Sequence, residues 1–288
     1  MKKSLSVIFL LISAHLAAQP YMGGEQANTR YRDNELPVNP AFAGTADRYF
    51  VSLGVFKQWT GIAGAPLSEN LQFHIPCAAN SGVGAWLYNE TFAVHTHTQF
   101  GAAYAYTLKL GGNNNKLALG LNFAVAVQNE RIPETNDPDP LFTEPIRQVD
   151  FNAGFGAFYF TDKYYAGFSV PRLKNDFDFS LMHYYFTGGY RFDISKKISI
   201  TPSALAAVSP RAGVGYECVL TAAYDRRFEA EVGIAAHSCL LFAVGIPLYK
   251  DLALRYQYSQ NFGSDYHQTG SSHFIVLRFS WDYVEKVL

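Results

Sequence analysis

Residues of the types that carry out chemistry are few in this chain, and their spacing is incomplete. His95 and His97 are two positions apart, so on a strand both imidazoles share one face and could begin a metal site. Asp137 and Asp139, in the peptide NDPDP, offer carboxylate oxygens of the kind that calcium binds. Neither pair has enough further ligands nearby. We therefore predict no metal and no cofactor, with the histidines at a polar rim and the aspartates in a solvated loop.

A serine and histidine group near the C-terminus is the remaining candidate for catalysis. Ser271, Ser272 and His273 are consecutive, and adjacent strand residues point to opposite faces, so only Ser271 shares a face with His273. Nothing in the sequence supplies a third group to orient the imidazole, as an activated serine requires. The sequence also lacks a G-x-S-x-G elbow, a phosphate loop, a dinucleotide fingerprint and an H-E-x-x-H motif. We predict no catalytic residues and no enzyme.

The elements that would position these side chains are long strands with a period of two. In KLALGLNFAVAVQN, residues 116–129, large apolar residues alternate with small or polar ones. Leu121 and Phe123 fall on one face, and Gly120 and Asn122 fall on the other. This segment is longer than an ordinary strand of about 5–6 residues and suits a membrane-crossing strand, which needs about 9–11.

The same alternation recurs along most of the chain. We count about fourteen such segments between Arg48 and Tyr283, an even number typical of up-and-down outer-membrane barrels. Short turns separate some segments, and longer polar stretches separate others, which matches the two unlike rims of such barrels. The short turns lie at 111–116, 161–163, 195–197 and 249–251, and the longer stretches lie at 130–148, 172–180 and 261–272. The prediction is an all-β, transmembrane up-and-down antiparallel β-barrel over residues 48–288.

One apolar segment, Val232 to Leu248, is almost long enough for a transmembrane helix. It contains His237, Ser238, two glycines and Pro247, which disfavour a continuous helix. We interpret it as two strands joined by a tight turn around His237 and Ser238.

The composition favours a membrane protein over a soluble one. Aromatic residues make up 16% of the chain and charged residues only 16%, whereas average domains carry about 25% charge. Rings cluster toward strand ends, as at Phe158, Tyr159, Tyr164 and Tyr165, where aromatic girdles would meet the membrane interfaces. A soluble β-sandwich is the alternative, but its strands are shorter. The net charge of −1 argues against nucleic acid as a partner.

The first residues predict the compartment. Lys2 and Lys3 precede an apolar run from Leu5 to Ile12, and small residues then lead to a cleavage zone near Ala18. Because the run is too short to span a bilayer, we predict a signal peptide over residues 1–18. Residues 19–47 would form a periplasmic lead-in, and the barrel would lie in the outer membrane of a Gram-negative cell.

Several stretches, taken in order, resemble the PorP/SprF family, and together they cover almost all of the mature chain. The motifs are NPAFAGT (39–45), KQWTGIAGAP (57–66), NLQFHIP (70–76), SGVGAWLYNE (81–90), FGAAYAYTLKL (100–110), KLALGLNFAV (116–125), HYYFTGGYRF (183–192), ITPSALAAV (200–208) and RYQYSQNFGSDYHQTGSSHFIVLRF (255–279).

The resemblance implies a non-enzymatic outer-membrane barrel of the type IX secretion system. Such a protein would support the export or surface attachment of large secreted proteins, including gliding adhesins, and would link to periplasmic secretion-ring subunits. Its partners would be outer-membrane lipid, those ring proteins and the secreted surface proteins. Two alternatives stay open on the sequence: a general diffusion channel, since the inward residues are small, and a rim-type barrel enzyme acting on lipid.

The peptide NPAFAGT is the most distinctive part of the lead-in. Pro40 fixes the chain direction, Gly44 allows a tight bend, and Phe42 could anchor against the barrel mouth. We predict a partner-docking segment formed by Asn39, Pro40, Phe42, Gly44 and Trp59, and an ordinary turn before the first strand is the alternative.

Overall fold

In the computed structural model, the chain forms a closed antiparallel β-barrel. The structure describes residues 32–46, 48–78, 80–111, 114–131, 146–173, 182–210, 213–225, 227–236, 239–262 and 270–282. A short helix α1, Glu35–Val38, and a 3-10 helix, Pro40–Phe42, precede the strands. The strands are β1 Arg48–Lys57, β2 Leu67–Ala78, β3 Ser81–Phe92, β4 His95–Lys109, β5 Lys116–Glu130, β6 Ile146–Phe160, β7 Tyr164–Leu173, β8 Tyr184–Tyr190, β9 Phe192–Asp193, β10 Ile198–Ser209, β11 Gly213–Tyr224, β12 Phe228–Ala235, β13 Cys239–Pro247, β14 Leu252–Asn261 and β15 Ser272–Asp282.

Strand pairing closes the barrel. Each strand pairs antiparallel with its neighbours in the chain, and β1 pairs with β15 from Arg48↔Asp282 to Lys57↔His273. The two-residue β9 continues β8 along the same partner, β10, and the interruption between them lies opposite Pro202, which has no N–H to donate. With β8 and β9 counted as one interrupted strand, the barrel has fourteen strands, as predicted.

The alternation in sequence becomes an outer and an inner face. In β5, Leu121 is 65% exposed and Phe123 is 54% exposed, whereas Ala118, Asn122 and Ala124 are buried. The exposed side chains form an apolar outer surface, which lipid covers in an outer-membrane barrel. The prediction for this strand is confirmed.

Aromatic rings gather at one rim. Tyr49 stacks on Trp281 at 5.1 Å between ring centroids, and Tyr190 lies 6.2 Å from Tyr164 and 4.6 Å from Phe192. These rings stand next to the first and last strand ends and the short hairpin turns. Tyr164 belongs to this group and packs on Tyr159, as an interfacial girdle requires. The prediction was wrong for Phe158 and Tyr165, because both rings point into the lumen and join the cluster that contains Phe42.

The two rims differ as predicted. β1 begins and β15 ends at the rim where the connections are short, such as those from Phe160 to Tyr164 and from Tyr224 to Phe228. The opposite rim carries the longest connections, after β5, β7 and β14. We assign the first rim to the periplasm and the second to the cell exterior, following the usual asymmetry of such barrels.

Two other predictions fall wholly or partly outside the described residues. The segment from Val232 to Leu248 does form two strands, β12 and β13, and not a helix, but the turn at 237–238 lies outside the described part. The predicted signal peptide also lies outside it. Among the described residues, no helix is both long and apolar enough to cross a membrane.

Candidate functional site in the barrel lumen

The segment before β1 lies inside the barrel. Leu36 and Ala41 are fully buried, Phe42 is 7% exposed, and the side chains of Asp33 and Asn39 are also buried. We call residues 33–45 the plug. The stretch was predicted to lie at the barrel mouth with Phe42 as an anchor. It lies within the lumen instead, because its apolar side chains pack on a wall of small residues.

The plug packs against the inner face of β3 to β6. The ring of Phe42 lies 4.3 Å from the ring of Phe158, and Leu36 belongs to the same buried cluster. Alanines and two larger aromatic residues supply most of the facing wall. They are Trp86, Tyr88, Ala103, Ala105, Ala118 and Ala124. Burial of an apolar side chain of this size contributes roughly 1.5–3 kcal/mol, so this contact is a principal source of plug affinity.

Glycines in the wall let the plug backbone approach the strands closely. A Cβ added at Gly120 would lie 2.3 Å from the backbone nitrogen of Ala41, and one at Gly82 would lie 2.3 Å from the carbonyl oxygen of Ala43. No side chain fits at such distances. Small inward residues were predicted to leave space for a diffusion channel, but the plug occupies the space beside Gly82 and Gly120.

The close approach at Gly120 gives a direct prediction. Gly120→Ala should loosen the plug without opening the strand ladder, because its methyl group collides with the backbone of Ala41. We expect a cost of about 1–3 kcal/mol, which is a shift of roughly fivefold to 150-fold toward the released state. The measurement is the fraction of time that the purified barrel conducts ions in a planar bilayer.

Gly245→Ala is the matched control for this substitution. Its added methyl would meet nothing closer than the Cβ of Glu229, at an ordinary 3.4 Å. This variant should behave as the unaltered protein, and equal effects of the two substitutions would contradict close packing of the plug.

Hydrogen bonds hold the plug backbone in place. The Asn39 side chain accepts from the Ala41 N–H at 2.9 Å, which caps the 3-10 helix, and its amide donates to the carbonyl of Ala157 at 3.1 Å. Ser169 Oγ donates to the carbonyl of Val38 at 2.6 Å. Because buried backbone groups need partners, these bonds fix the register of the plug against β6 and β7.

An ion cluster fastens the start of the plug to the opposite wall. Arg255 and Arg278 both donate to the buried carboxylate of Asp33, and Arg255 also binds Glu231. Arg32 binds Glu231 from the plug side. The cluster connects β12, β14 and β15 to the segment that the other wall grips through apolar contacts, so the plug is held on both sides of the lumen.

Placing Asp33 and Glu35 inside the barrel shifts the pKa of both carboxyl groups, and in opposite directions. Burial alone would raise the pKa of Asp33, but the guanidinium groups of Arg255 and Arg278 outweigh it and hold that pKa below its usual range. Ionised Asp33 therefore stabilises the plugged state at pH values above the pKa of this carboxyl group in the unfolded chain. That stabilisation is lost as the pH falls through the lower pKa of Asp33 in the folded protein. Burial raises the pKa of Glu35 to about 7, so Glu35 favours the plugged state most at low pH and opposes it as pH rises toward 7.

The predicted docking residues do not form one surface. Asn39, Pro40 and Phe42 are buried in the lumen, and Gly44, with φ +72°, makes the bend near the end of the plug. Trp59 instead follows β1 at the outer rim, where its ring packs edge-on against Phe92 at 6.2 Å. Burial of the first three side chains removes them from any docking surface in this state.

The candidate metal ligands lie near the outer rim. His95 Nδ1 lies 3.2 Å from Glu130 Oε1, and His97 packs on the ring of Tyr88. No group of three potential ligands that could hold a metal occurs in the described part of the chain. Asp137 and Asp139 lie outside it.

The serine and histidine pair comes together on the outer surface. Ser271 Oγ lies 3.1 Å from His273 Nε2, and the Tyr256 hydroxyl lies 2.7 Å from Nδ1. Tyr256 was not predicted to belong to this group, because it comes from the neighbouring strand β14. A neutral phenol stabilises an imidazolium less than a carboxylate does. His273 therefore activates Ser271 less than the histidine of a Ser-His-Asp triad activates its serine.

Comparisons with known proteins agree with a membrane barrel of one family. A family model described as "Type IX secretion system membrane protein PorP/SprF" matches residues 24–279. No curated protein matches the chain significantly.

Three solved structures illustrate the similarity in shape. They are a KdgM porin (10% identity, TM-score 0.43, 81% of this chain and 99% of that one), the outer-membrane protein Omp33 of Acinetobacter baumannii (6%, 0.47, 82% and 99%) and a Pseudomonas aeruginosa FadL homologue (10%, 0.45, 82% and 89%). The fold itself is established by the strand ladders of this chain.

Proposed function

Because the chain belongs to the PorP/SprF family of type IX secretion system membrane proteins, we propose that it is a plugged, non-conducting barrel that supports the export or surface attachment of large secreted proteins. The observation that carries this proposal is the plug, which contacts the wall around Phe158 on one side of the lumen and the ion cluster around Arg255 on the other. A barrel closed in this way offers surfaces to partners and no path for solutes.

The two rims would serve different partners. Connections at the outer rim would bind the exported protein, since they are the longest and reach the cell exterior. The short turns and the chain leading to the plug would meet the periplasmic ring subunits. Trp59, which lies at the outer rim beside Phe92, would contact the exported protein and not a periplasmic partner.

The alternatives fit the geometry less well. A diffusion channel needs an open polar lumen, whereas Leu36, Ala41 and Phe42 occupy this one. A rim enzyme would use Ser271 and His273, but the third group of the set is a phenol. We propose that the protein is not an enzyme; purified protein should release no fatty acid from lipid, and turnover that Ser271→Ala abolishes would overturn this.

A pull-down from outer membranes tests the proposal. Tagged protein, solubilised in mild detergent, should co-purify with secretion-ring subunits and with a large surface protein. The matched control is an unrelated outer-membrane barrel carrying the same tag. Recovery of neither partner above that control would refute the proposed role.

The longest outer connection gives a separate prediction. β5 and β6 remain paired up to Glu130↔Ile146, so the loop can be shortened at 132–145 without removing a ladder pair. We expect the shortened protein to assemble normally but to lose most of the surface-retained cargo. Assembly is checked by the heat-modified mobility of the barrel, and cargo by whole-cell immunoblotting. Unchanged retention would show that this loop does not bind cargo.

A further inference from the structure

A buried histidine of the barrel wall faces the plug. His74 lies on the inner face of β2, is 2% exposed, and packs against the ring of Phe50 at 4.8 Å between ring centroids. Neither nitrogen of its imidazole has a hydrogen-bond partner among the described residues. A neutral imidazole carries one donor and one acceptor, and leaving both unpaired in a buried site is costly. The imidazole is therefore stabilised by a neighbouring group that supplies a proton or accepts one.

Glu35 of the plug stands next to this histidine. It lies in the first turn of α1, and its Oε2 is 4.0 Å from His74 Nε2. The N–H of the following residue, Leu36, donates to the side chain of Gln72 at 3.4 Å, and Gln72 lies on the same strand as His74. The start of α1 is thus held against β2. A movement of about 1 Å brings the carboxyl group and the imidazole into hydrogen-bond contact.

The charges around Glu35 favour its neutral, protonated form. The guanidinium groups that face it belong to Arg32, next to the plug, and Arg278, on β15. Both already bind other carboxylates, those of Glu231 and Asp33. Asp33 also repels a second negative charge on Glu35. The three arginines of the ion cluster face three carboxylates besides that of Glu35, namely those of Asp33, Glu229 and Glu231. An ionised Glu35 is therefore a surplus negative charge in the lumen.

We propose that Glu35 and His74 form a proton-dependent latch for the plug. A proton shared by Glu35 Oε2 and His74 Nε2 holds α1 against β2. When this proton passes to bulk water, the carboxylate that remains favours the released plug, because water hydrates it there. The latch rests on the proposed closed barrel, and it makes that closure dependent on pH.

The sign of the response follows from the pKa of Glu35. Burial raises this pKa from its ordinary 4.5 to about 7 in the plugged state, and hydration restores the ordinary value on release. The contribution of Glu35 to closure is therefore fully present below pH 4.5 and is lost as the pH rises to about 7. From pH 6 to pH 8, we expect the ratio of open to closed barrels to rise about tenfold. Asp33 adds nothing to this change, since its pKa is held below the ordinary value and the group stays ionised.

Bilayer recordings at pH 6 and pH 8 test the latch. The Gly120→Ala protein serves as the background, because its loosened plug opens often enough to measure the ratio. We expect a rise of about tenfold in this background and no rise after Glu35→Gln, a side chain that cannot ionise. Glu130→Gln is the matched control and should keep the full response, since Glu130 also lies near a histidine, 3.2 Å from His95, but at the exposed outer rim.

Failure of the latch is distinguishable from failure of the closed barrel. A mostly closed barrel with the same ratio at both pH values, or a rise that Glu35→Gln retains, would overturn the latch alone. A steady current at both pH values would refute the closed barrel, and the latch with it.

His74→Phe tests the partner of Glu35. The substitution keeps a ring against Phe50 but removes both nitrogens. Because the shared proton is present mainly at the lower pH, the open-to-closed ratio should rise about twofold to tenfold at pH 6 and hardly change at pH 8. A packing role alone would shift the ratio equally at both pH values, and that result would overturn the role of His74.

Infrared difference spectra give a direct measurement that does not need the plug to open. Between pH 6 and pH 8, the unaltered protein should lose a carboxylic-acid C=O band that Glu35→Gln lacks, whereas Glu130→Gln should keep this change. If no carboxylic-acid band of Glu35 titrates in this interval, the latch is refuted.

Discussion

Replacing residues 33–45 with a glycine and serine linker of equal length should convert the closed barrel into a steady ion-conducting pore. The plug places the side chains of Leu36 and Phe42 in the lumen, where they pack on a wall of alanines and of the rings of Trp86, Tyr88 and Phe158. A linker without apolar side chains or Asp33 has nothing to bind that wall. In planar bilayers, the unaltered protein should show no steady current, and the variant should show long openings.

A loop variant provides the control for this replacement. The same kind of linker placed at 132–145 leaves the plug and its contacts in place, so the barrel should stay closed. If the plug variant also stays closed while its strands are correctly assembled, the lumen is sealed by something other than residues 33–45.

Arg255→Met should release the plug, because it removes the positive charge that binds Asp33. Arg255 is 5% exposed and binds both Asp33 and Glu231, so its removal leaves two buried carboxylates with less compensation. Breaking a buried ion pair from one side costs about 3–5 kcal/mol, which is a shift of roughly two to four orders of magnitude in the closed-to-open ratio. Bilayer recordings would show frequent openings, and Asp33→Asn in the same chain should restore part of the closure.

Arg48→Met is the comparison for this effect. Arg48 lies 3.8 Å from Asp251 at the periplasmic rim, and both side chains are partly exposed. Such pairs contribute about 0–1 kcal/mol, so closure should hardly change. Equal effects of Arg48→Met and Arg255→Met would show that the ion cluster does not hold the plug.

The barrel was predictable because its signal is local and repeated. A strand such as β5 alternates over its whole length, and only a lipid-facing surface tolerates Leu121 and Phe123 on its outer side. Strand number and rim asymmetry followed from the same pattern and from the turn residues between segments.

The position of the plug was not predictable from its own residues. The stretch from Asp33 to Thr45 has no long periodicity, and an apolar Phe42 fits a mouth as well as a lumen. Two features of the strands indicate that a segment of the chain lies inside the barrel. Gly82 and Gly120 leave room that only a backbone fills, and inward Arg255 needs an anionic partner, which Asp33 provides.

Side-chain contacts between neighbouring strands were also not predictable from the sequence. Tyr256 reaches His273 because β14 and β15 pair with Tyr258↔His273, and no pattern within either strand fixes that register.

Accessibility of a single cysteine tests the central claim, that residues 33–45 occupy the lumen, most directly. With Cys77, Cys218 and Cys239 replaced by serine, Leu36→Cys places a thiol at a fully buried plug position, and Ala46→Cys places one at the exposed residue that directly follows the plug. A bulky membrane-impermeant maleimide should label position 46 rapidly in the folded protein and position 36 only after denaturation or in the Arg255→Met background. Rapid labelling of position 36 in the folded, otherwise unaltered barrel would contradict the plugged lumen.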